Sequence, residues 1–272
     1  MNRVLQKLRE VAMRRTACLD DEEFLLRGLW RVDHRCRPNR EERLLNFSFV
    51  MAQTEHQGCS YADFGSVDIA RYADEFIGKD ARFIECTDPS MEIALLDTVY
   101  AGIKEPVDVV HDLQGRLSAK AVRRAELVGD EVMALLEETS GRRVANVGVI
   151  GNYVAELQRR GVEIVATDYD PILIQDGING VPVLHGDQTP AIVEAADVAL
   201  VCGETLINGS LDDVLDAARR GGTRLIVYAV TGAHFAHEYC RIFGIDTVIA
   251  EPQPQYLFQG TTRLGILHAK TL

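Results

Sequence analysis

The sequence predicts an α/β protein with a C-terminal doubly wound, Rossmann-like parallel sheet, preceded by a smaller α+β domain and N-terminal helices. After Gly141, short apolar runs such as "RVANVGVIG" and "DVALVCGET" alternate with helical segments, which is typical of a parallel sheet covered on both faces. Before Gly141 there is no such alternation. We expect an N-terminal helical segment over residues 1–43, the small α+β domain with a linking helix over 44–140, and the Rossmann-like domain over 141–272.

Composition narrows the classes of function. The chain has 272 residues, of which 47% are hydrophobic, and a net charge of −12. Nucleic-acid binding needs clustered Lys and Arg, and an acidic chain repels phosphates. We therefore expect no nucleic-acid partner. The apolar runs are too short to cross a bilayer, and six scattered cysteines indicate reduced thiols. We therefore expect a cytoplasmic protein with a small-molecule partner and no membrane partner, and we leave a homodimer open.

The elements before Gly141 follow from local signals. "VLQKLREVA" spaces its apolar residues as in an amphipathic helix, and a second helix is expected after Asp20. "LLNFSFVMAQTE" has the pattern of a strand. "DPSMEIALLDTVYAGI" predicts a helix with Asp88 as its cap and Pro89 at its first position. The charged segment "SAKAVRRAELVGDEVMALLEETSG" predicts a long linking helix.

Small polar residues interrupt the fourth strand of the Rossmann-like part, in "VALVCGETLINGS". Gly203, Glu204, Thr205 and Asn208 follow the strand, and Ser210 is expected to cap the next helix. The connection is longer than a strand-to-helix turn needs. Because ligands of doubly wound sheets bind outside the carboxyl ends of the strands, these residues are candidates for a ligand cleft.

Two further strand ends point to the same edge. In "GVIGNY", Gly148, Gly151 and Asn152 open a helix whose free N–H groups suit an anionic group or the amino-acid end of a ligand. The spacing is G-x-x-G, so the dinucleotide fingerprint is absent. Asp168, about twenty residues further on, can accept hydrogen bonds from ribose hydroxyls, as in nucleotide and S-adenosylmethionine folds, or can serve the turn before Pro171.

Histidine and cysteine pairs suggest a metal instead. "HFAHEYC" places His234, His237 and Cys240 three residues apart along a helix, and "TEHQGCS" places His56 and Cys59 three apart in a loop. Imidazole and thiolate are ligands of soft divalent ions, and a Cys near a His can also be a nucleophile. The alternative is an amphipathic helix whose Cys faces the core.

The segments "AADVALVCGETLINGS", "VGVIGNYVAEL" and "GVPVLHGDQTP" resemble a family of Rossmann-like proteins described as heavy-metal chelation proteins. "HQGCSYADFG" and "DPSMEIALLDTVYAGI" resemble the small α+β domain of that family. The resemblance implies two domains with a cleft between them. Cys202 and Glu204 stand where the family usually has a threonine-rich run. The opening helical segment of some forty residues looks like an addition to the family's two domains.

Two functions follow as hypotheses. The first is an enzyme acting on a small molecule, with an adenosyl ligand (S-adenosylmethionine or a nucleotide) or a similar anionic molecule in the cleft. Its candidate catalytic residues are Glu204, Thr205 and His234. Its candidate cofactor-binding residues are Gly148, Gly151, Asn152, Asp168, Gly203, Asn208 and Thr231. The second is a soft-metal binding or chelation protein with a divalent metal held by His56, Cys59, His234 and His237.

Overall fold

The computed structural model of the chain describes residues 2–36, 44–63, 65–252 and 260–272, without the side chains of Cys36 and Leu45. These residues form a three-stranded sheet and an eight-stranded sheet, with helices packed on both. The predicted class, an α/β fold with a Rossmann-like sheet and a smaller α+β part, is confirmed.

The small sheet is antiparallel and consists of β1 (Gly28–Cys36), β2 (Leu45–Gln53) and β3 (Gln57–Ala62), in that order. The strand predicted from "LLNFSFVMAQTE" is β2. One face of the sheet packs on α2 (Ile69–Phe76) and α3 (Pro89–Ala101), which contribute to one hydrophobic cluster.

Helix α3 is the centre of the N-terminal half. Asp88 accepts the N–H of Met91, and Pro89 occupies the first turn, as predicted. Its residues are buried on nearly every side, because both β3 and the opening helix, α1 (Arg3–Thr16), lie against it. A helix in this position can expose a polar side chain only to another part of the protein.

The opening helix forms, but the predicted second helix is wrong. Helix α1 (Arg3–Thr16) buries its apolar stripe in the main core, and Asp212 of the Rossmann-like part accepts the backbone N–H groups of Arg3 and Val4. After Asp20 there is only a 3-10 turn over Asp21–Phe24. The chain then enters β1, because "LWRVDHRC" alternates apolar and charged residues with the period of a strand.

The linking helix is α4 (Leu117–Leu136), and it leads into the large sheet. The strands of this sheet are β4 (Val109–Leu113), β5 (Arg143–Val147), β6 (Glu163–Asp168), β7 (Val183–His185), β8 (Val198–Cys202), β9 (Arg224–Ala229), β10 (Thr247–Ala250) and β11 (Thr262–His268). Their order is β4-β11-β10-β9-β8-β5-β6-β7. The six predicted strands, β5 to β10, are parallel, whereas β11 runs antiparallel to both of its neighbours.

Five helices connect the strands: α5 (Gly151–Arg159), α6 (Pro171–Asp176), α7 (Thr189–Glu194), α8 (Leu211–Gly221) and α9 (Ala236–Phe243). Two large hydrophobic clusters cover the opposite faces of the sheet. Strands β5 to β7 step one way and β8 to β10 step the other way, so the strand order reverses between β5 and β8. This is the doubly wound order 3-2-1-4-5-6, and the crevice at the reversal is the usual ligand position.

The predicted boundaries at residues 43 and 140 stay predictions. Strand β1 lies before the first boundary and pairs with β2 beyond it. Among the helices of the described ranges, none is long and apolar enough to cross a membrane.

Gly148 sets the geometry of the strand reversal. Its φ is +75°, and a Cβ at this position would lie 2.6 Å from the Cβ of Cys202 at the end of β8. Only glycine satisfies both the left-handed backbone and the close approach.

We predict that Gly148→Ala destabilises the fold by about 3 kcal/mol, because the left-handed strain adds to overpacking. The matched control is Gly161→Ala, where φ is +72° and no heavy atom lies within 4 Å of the added Cβ. The control should cost about 1 kcal/mol. Urea unfolding measures both, and equal losses would contradict a steric role for Gly148.

Candidate functional site

The small sheet lies across the carboxyl edge of the large sheet. The backbone N–H of Tyr61 in β3 donates to Thr231 Oγ1, at 2.9 Å, in the loop after β9. The N–H of Gly232 donates to the carbonyl of Cys59, at 3.2 Å. The outer edge of β3 is therefore paired with the loop after β9, and the two parts of the chain meet at the strand ends where the sequence predicts a cleft.

Glu204 lies at the strand reversal. It belongs to a short 3-10 turn over Gly203–Leu206, and the thiol of Cys202 donates to its Oε2 at a distance of 2.7 Å. Burial raises the pKa of the Glu204 carboxyl, and the nearby Asp168 carboxylate adds to the rise. Burial and the charge of Glu204 raise the pKa of the Cys202 thiol well above its usual range. Cys202 is therefore a neutral hydrogen-bond donor and not a nucleophile.

Tyr61 brings a phenol to the same place, and the sequence analysis missed it. Burial, followed by the charges of Glu204 and Asp63, raises the pKa of Tyr61 to about 12, and Asp168 acts in the same direction. Its ring also packs edge-on against Phe49, with centroids 6.1 Å apart. The phenol of Tyr61 therefore stays protonated beside the carboxyl groups of Glu204 and Asp168. No motif marks Tyr61, because strand pairing alone carries it over the Rossmann-like edge.

Asp168 holds the turns around the cleft. Its Oδ2 accepts the N–H of Val149, at 2.7 Å, and its Oδ1 accepts the N–H of Asp170, at 2.9 Å. The turn function weighed in the sequence analysis is therefore present. A carboxylate has about four acceptor sites, so each oxygen keeps capacity for a ligand hydroxyl as well.

The glycine turn precedes the first turn of α5. Gly151 would bring a Cβ to 3.2 Å from Ile178 Cδ1, and its carbonyl accepts the side-chain amide of Asn179. Asn152 is exposed. Ile150 occupies the cap position of α5. Its apolar side chain cannot accept a hydrogen bond, so α5 begins without a side-chain cap.

The side chains of Thr205 and Asn208 form hydrogen bonds within the local turn. The Thr205 hydroxyl donates to the carbonyl of Cys202 at 2.8 Å, and Asn208 Oδ1 accepts the N–H of Ser210 at 2.9 Å. Ser210 occupies the predicted cap position of α8, but its side chain makes no cap hydrogen bond. Gly203 lets β8 approach the loop after β9, since an added Cβ would lie 2.9 Å from the carbonyl oxygen of Thr231.

His234 pairs with a buried aspartate that the sequence analysis missed. Its Nδ1 lies 3.2 Å from Oδ1 of Asp97, whose side chain is 1% exposed, and its backbone N–H donates to the same oxygen at 2.9 Å. The other oxygen of Asp97 accepts the N–H of Cys59, at 2.9 Å. Burial works to lower the pKa of His234, but the Asp97 carboxylate outweighs it, so the pKa is raised.

The four predicted metal ligands do not come together. His56, Cys59 and His234 line one cavity of about 270 Å³. His237 lines the adjoining larger cavity together with His234, but its Nε2 lies 2.9 Å from the carbonyl oxygen of Pro106. Across the described part of the chain, no three His, Cys, Asp or Glu side chains are arranged to hold an ion. Burial raises the pKa of the Cys59 thiol well above its usual range. These residues therefore do not fit a metal site.

Comparison with solved structures supports the fold. A DUF364 protein of unknown function from Pyrococcus horikoshii has a TM-score of 0.56 and 12% identity, with 97% of this chain and 99% of that chain covered. A DUF364 protein of unknown function from Desulfitobacterium hafniense DCB-2 also has a TM-score of 0.56 and 12% identity, with 96% and 98% covered. At this identity the likeness shows the fold alone. No curated protein matches the chain.

A family model agrees with the structures. Residues 131–240 match DUF364, described as "Putative heavy-metal chelation". The matched region begins in α4 and ends in α9, so it includes Gly148, Asp168, Glu204 and His234. The resemblance drawn from the sequence is thereby confirmed: the chain carries a DUF364 region and shares the fold of the solved DUF364 proteins.

Proposed function

We propose that the protein is an enzyme that acts on a small molecule and binds an adenosyl-type ligand in the crevice between β5 and β8. The carrying observation is that Asp168, Glu204 and Tyr61, from three separate strands or strand ends, meet at one sheet edge. Asp168 accepts the N–H of Val149 beside Gly148, Gly148 lies against Cys202, whose thiol donates to Glu204, and the Tyr61 N–H donates to Thr231. A crevice at the strand reversal with a few convergent polar groups is the usual form of a ligand site.

The charges favour S-adenosylmethionine over a nucleotide phosphate. Glu204, Asp168 and Asp63 all raise the pKa of Tyr61, so this crevice is surrounded by acidic groups. A carboxylate repels a phosphate and attracts a cation at the same distance. S-adenosylmethionine carries a positive sulfonium, whereas nucleotide phosphates carry several negative charges. The acidic surroundings therefore also disfavour the alternative from the sequence, a similar anionic molecule in place of the adenosyl ligand.

Each residue has a definite part in this proposal. Gly148 allows close approach of a ligand to the backbone, and Asp168 offers its remaining acceptor sites to the ribose hydroxyls. Glu204 supplies a carboxylate to the positive group, and Tyr61 supplies a neutral donor and an aromatic face, which also attracts cations. When bound, S-adenosylmethionine supplies an electrophilic carbon attached to its sulfonium.

Metal chelation, the function in the family description, is the alternative. Its support here is the cavity that His56, Cys59 and His234 share, and the arrangement of these donors does not favour it. The alternative requires one metal ion per chain in native mass spectrometry of the purified protein, removed by a chelator.

We predict that isothermal titration calorimetry detects S-adenosylmethionine binding and that Asp168→Asn weakens it about tenfold or more, because one charge-assisted acceptor is lost. Glu204→Gln should weaken the binding of S-adenosylmethionine and leave the binding of S-adenosylhomocysteine, which lacks the sulfonium charge, nearly unchanged. Asp187→Asn, at an exposed position after β7, is the matched control. Absence of binding to both ligands would refute the proposal, and tighter binding of ATP would refute the charge argument.

We predict that Glu204→Gln makes the fold more stable than wild type at pH 7.5, and that the difference shrinks toward pH 4. The raised pKa means that folded Glu204 holds its proton more tightly than the unfolded chain, where the usual value is 4.5. That contribution is complete below pH 4.5 and is lost as the pH rises through the folded pKa. Denaturant unfolding across this range measures it, with exposed Glu194→Gln as control; a pH-independent difference would contradict the assignment.

A further inference from the structure

We propose that His234, positioned by Asp97, is the general acid–base residue of a second pocket, which takes a compact molecule with a hydroxyl or amino head and an apolar body. The inference goes beyond the proposed function, because it does not depend on which ligand occupies the crevice between β5 and β8. It stands on the geometry of the pair and on two adjoining cavities.

The pair is fixed from three sides. Asp97 lies on α3, accepts the N–H of Cys59 from β3, and accepts the N–H of His234 from the turn before α9. Nδ1 of the ring lies 3.2 Å from Oδ1 of Asp97, which is an ion-pair distance, and this buried nitrogen has no hydrogen-bond partner within the described residues. We expect the nearby carboxylate to favour the proton of the neutral imidazole on Nδ1. Nε2 is then the basic nitrogen, and the carboxylate stabilises the imidazolium that forms when Nε2 accepts a proton.

His234 borders two cavities. The smaller, of about 270 Å³, has polar and apolar surface in nearly equal parts and is lined by His56, Gln57, Cys59, Asp97, His234 and Pro252 among others. The larger, of about 400 Å³, shares Ala101, His234 and Pro252 with it and is mostly apolar. Ile103, Val107 and Ala236 are among its walls. Together they approach the size of ordinary small-molecule sites.

The two linings define the class of substrate. The smaller cavity offers two imidazoles and an amide to a head group, and the larger cavity offers mostly apolar surface to the rest of the molecule. The reaction step is a proton transfer: the O–H or N–H proton of the head moves to Nε2 while the Nδ1 proton stays toward Asp97. The imidazolium later returns that proton to the head group or to water, so the step is a reversible proton exchange that needs no other reactant.

The other nucleophilic and basic side chains of the smaller cavity, Cys59 and His56, do not compete for this part. Cys59 is buried, its backbone N–H is bound to Asp97, and its thiol stays neutral. The ring of His56 lies toward Glu23, with Nε2 3.7 Å from Oε2, so it has a different carboxylate partner. Asp97 is the acid that acts on His234 from the packed elements.

The first test is ¹⁵N NMR of the histidine rings in the full chain, with His234→Gln used to assign the signals. This variant keeps the backbone N–H that Asp97 accepts. We expect the Nδ1–H tautomer in wild type, and a pKa of His234 that falls by about one pH unit or more in Asp97→Asn. The Nε2–H tautomer in wild type, which needs no variant to detect, would overturn the pairing. So would an unchanged pKa in a folded Asp97→Asn protein.

The second test uses 1-hexanol as probe and its methyl ether, which has no O–H, as the matched compound. We expect 1-hexanol to move the His234 ring signals at concentrations at least tenfold lower than the ether does. Ala101→Phe, which fills the space between the cavities, should abolish the effect, and Ala155→Phe on the exposed side of α5 should not. Equal effects of alcohol and ether, or an effect that survives Ala101→Phe, would overturn the pocket. S-adenosylmethionine binding is measured separately, so the two proposals can fail independently.

Discussion

The buried carboxylate of Asp97 is the constraint on which the arrangement of the two sheets depends. It accepts backbone N–H groups from β3 and from the turn before α9, and thereby joins α3, the small sheet and the Rossmann-like part. An edge strand normally offers unpaired backbone groups to solvent or to another chain. Here the outer edge of β3 is paired instead with one carboxylate and with the loop at Thr231 and Gly232. The small sheet is therefore held at one position across the strand ends.

That position decides what the strand ends can do. A Rossmann-like edge alone would place Asp168 and Glu204 in an open crevice, where water would weaken their effect on one another. With β3 across the edge, Tyr61 lies among these carboxyl groups and Glu204 keeps its proton to a higher pH. Both proposed sites therefore contain residues of both parts, and neither part contains a complete site.

The sequence predicted most of the fold because β5 to β10 and their helices follow local periodicity. It did not predict β4 and β11, which lie at one side of the sheet and pair across a long stretch of chain. It placed Asp168 and Glu204 at strand ends and His234 at the start of the helix after β9, where the structure has a 3-10 turn over Ala233–Phe235. It gave no sign of Asp97, which looks like one polar residue in an apolar helix. Its role depends on a β3 edge and an α9 turn far away in sequence. The same holds for Tyr61, and for His237, whose helical spacing from His234 suggested a shared ligand although its ring is bound to Pro106.

The position of β11 has a consequence for how the protein is made. Because β11 lies between β10 and β4, with Leu113 opposite Thr262, β4 has no neighbour in the sheet until the chain has been synthesised past the Rossmann-like part. Non-local pairing of this kind is slow and leaves strands exposed while it is awaited. During translation, β4 must therefore wait unpaired while β5 to β10 assemble. Its Val109 and Val110 remain exposed even in the folded chain.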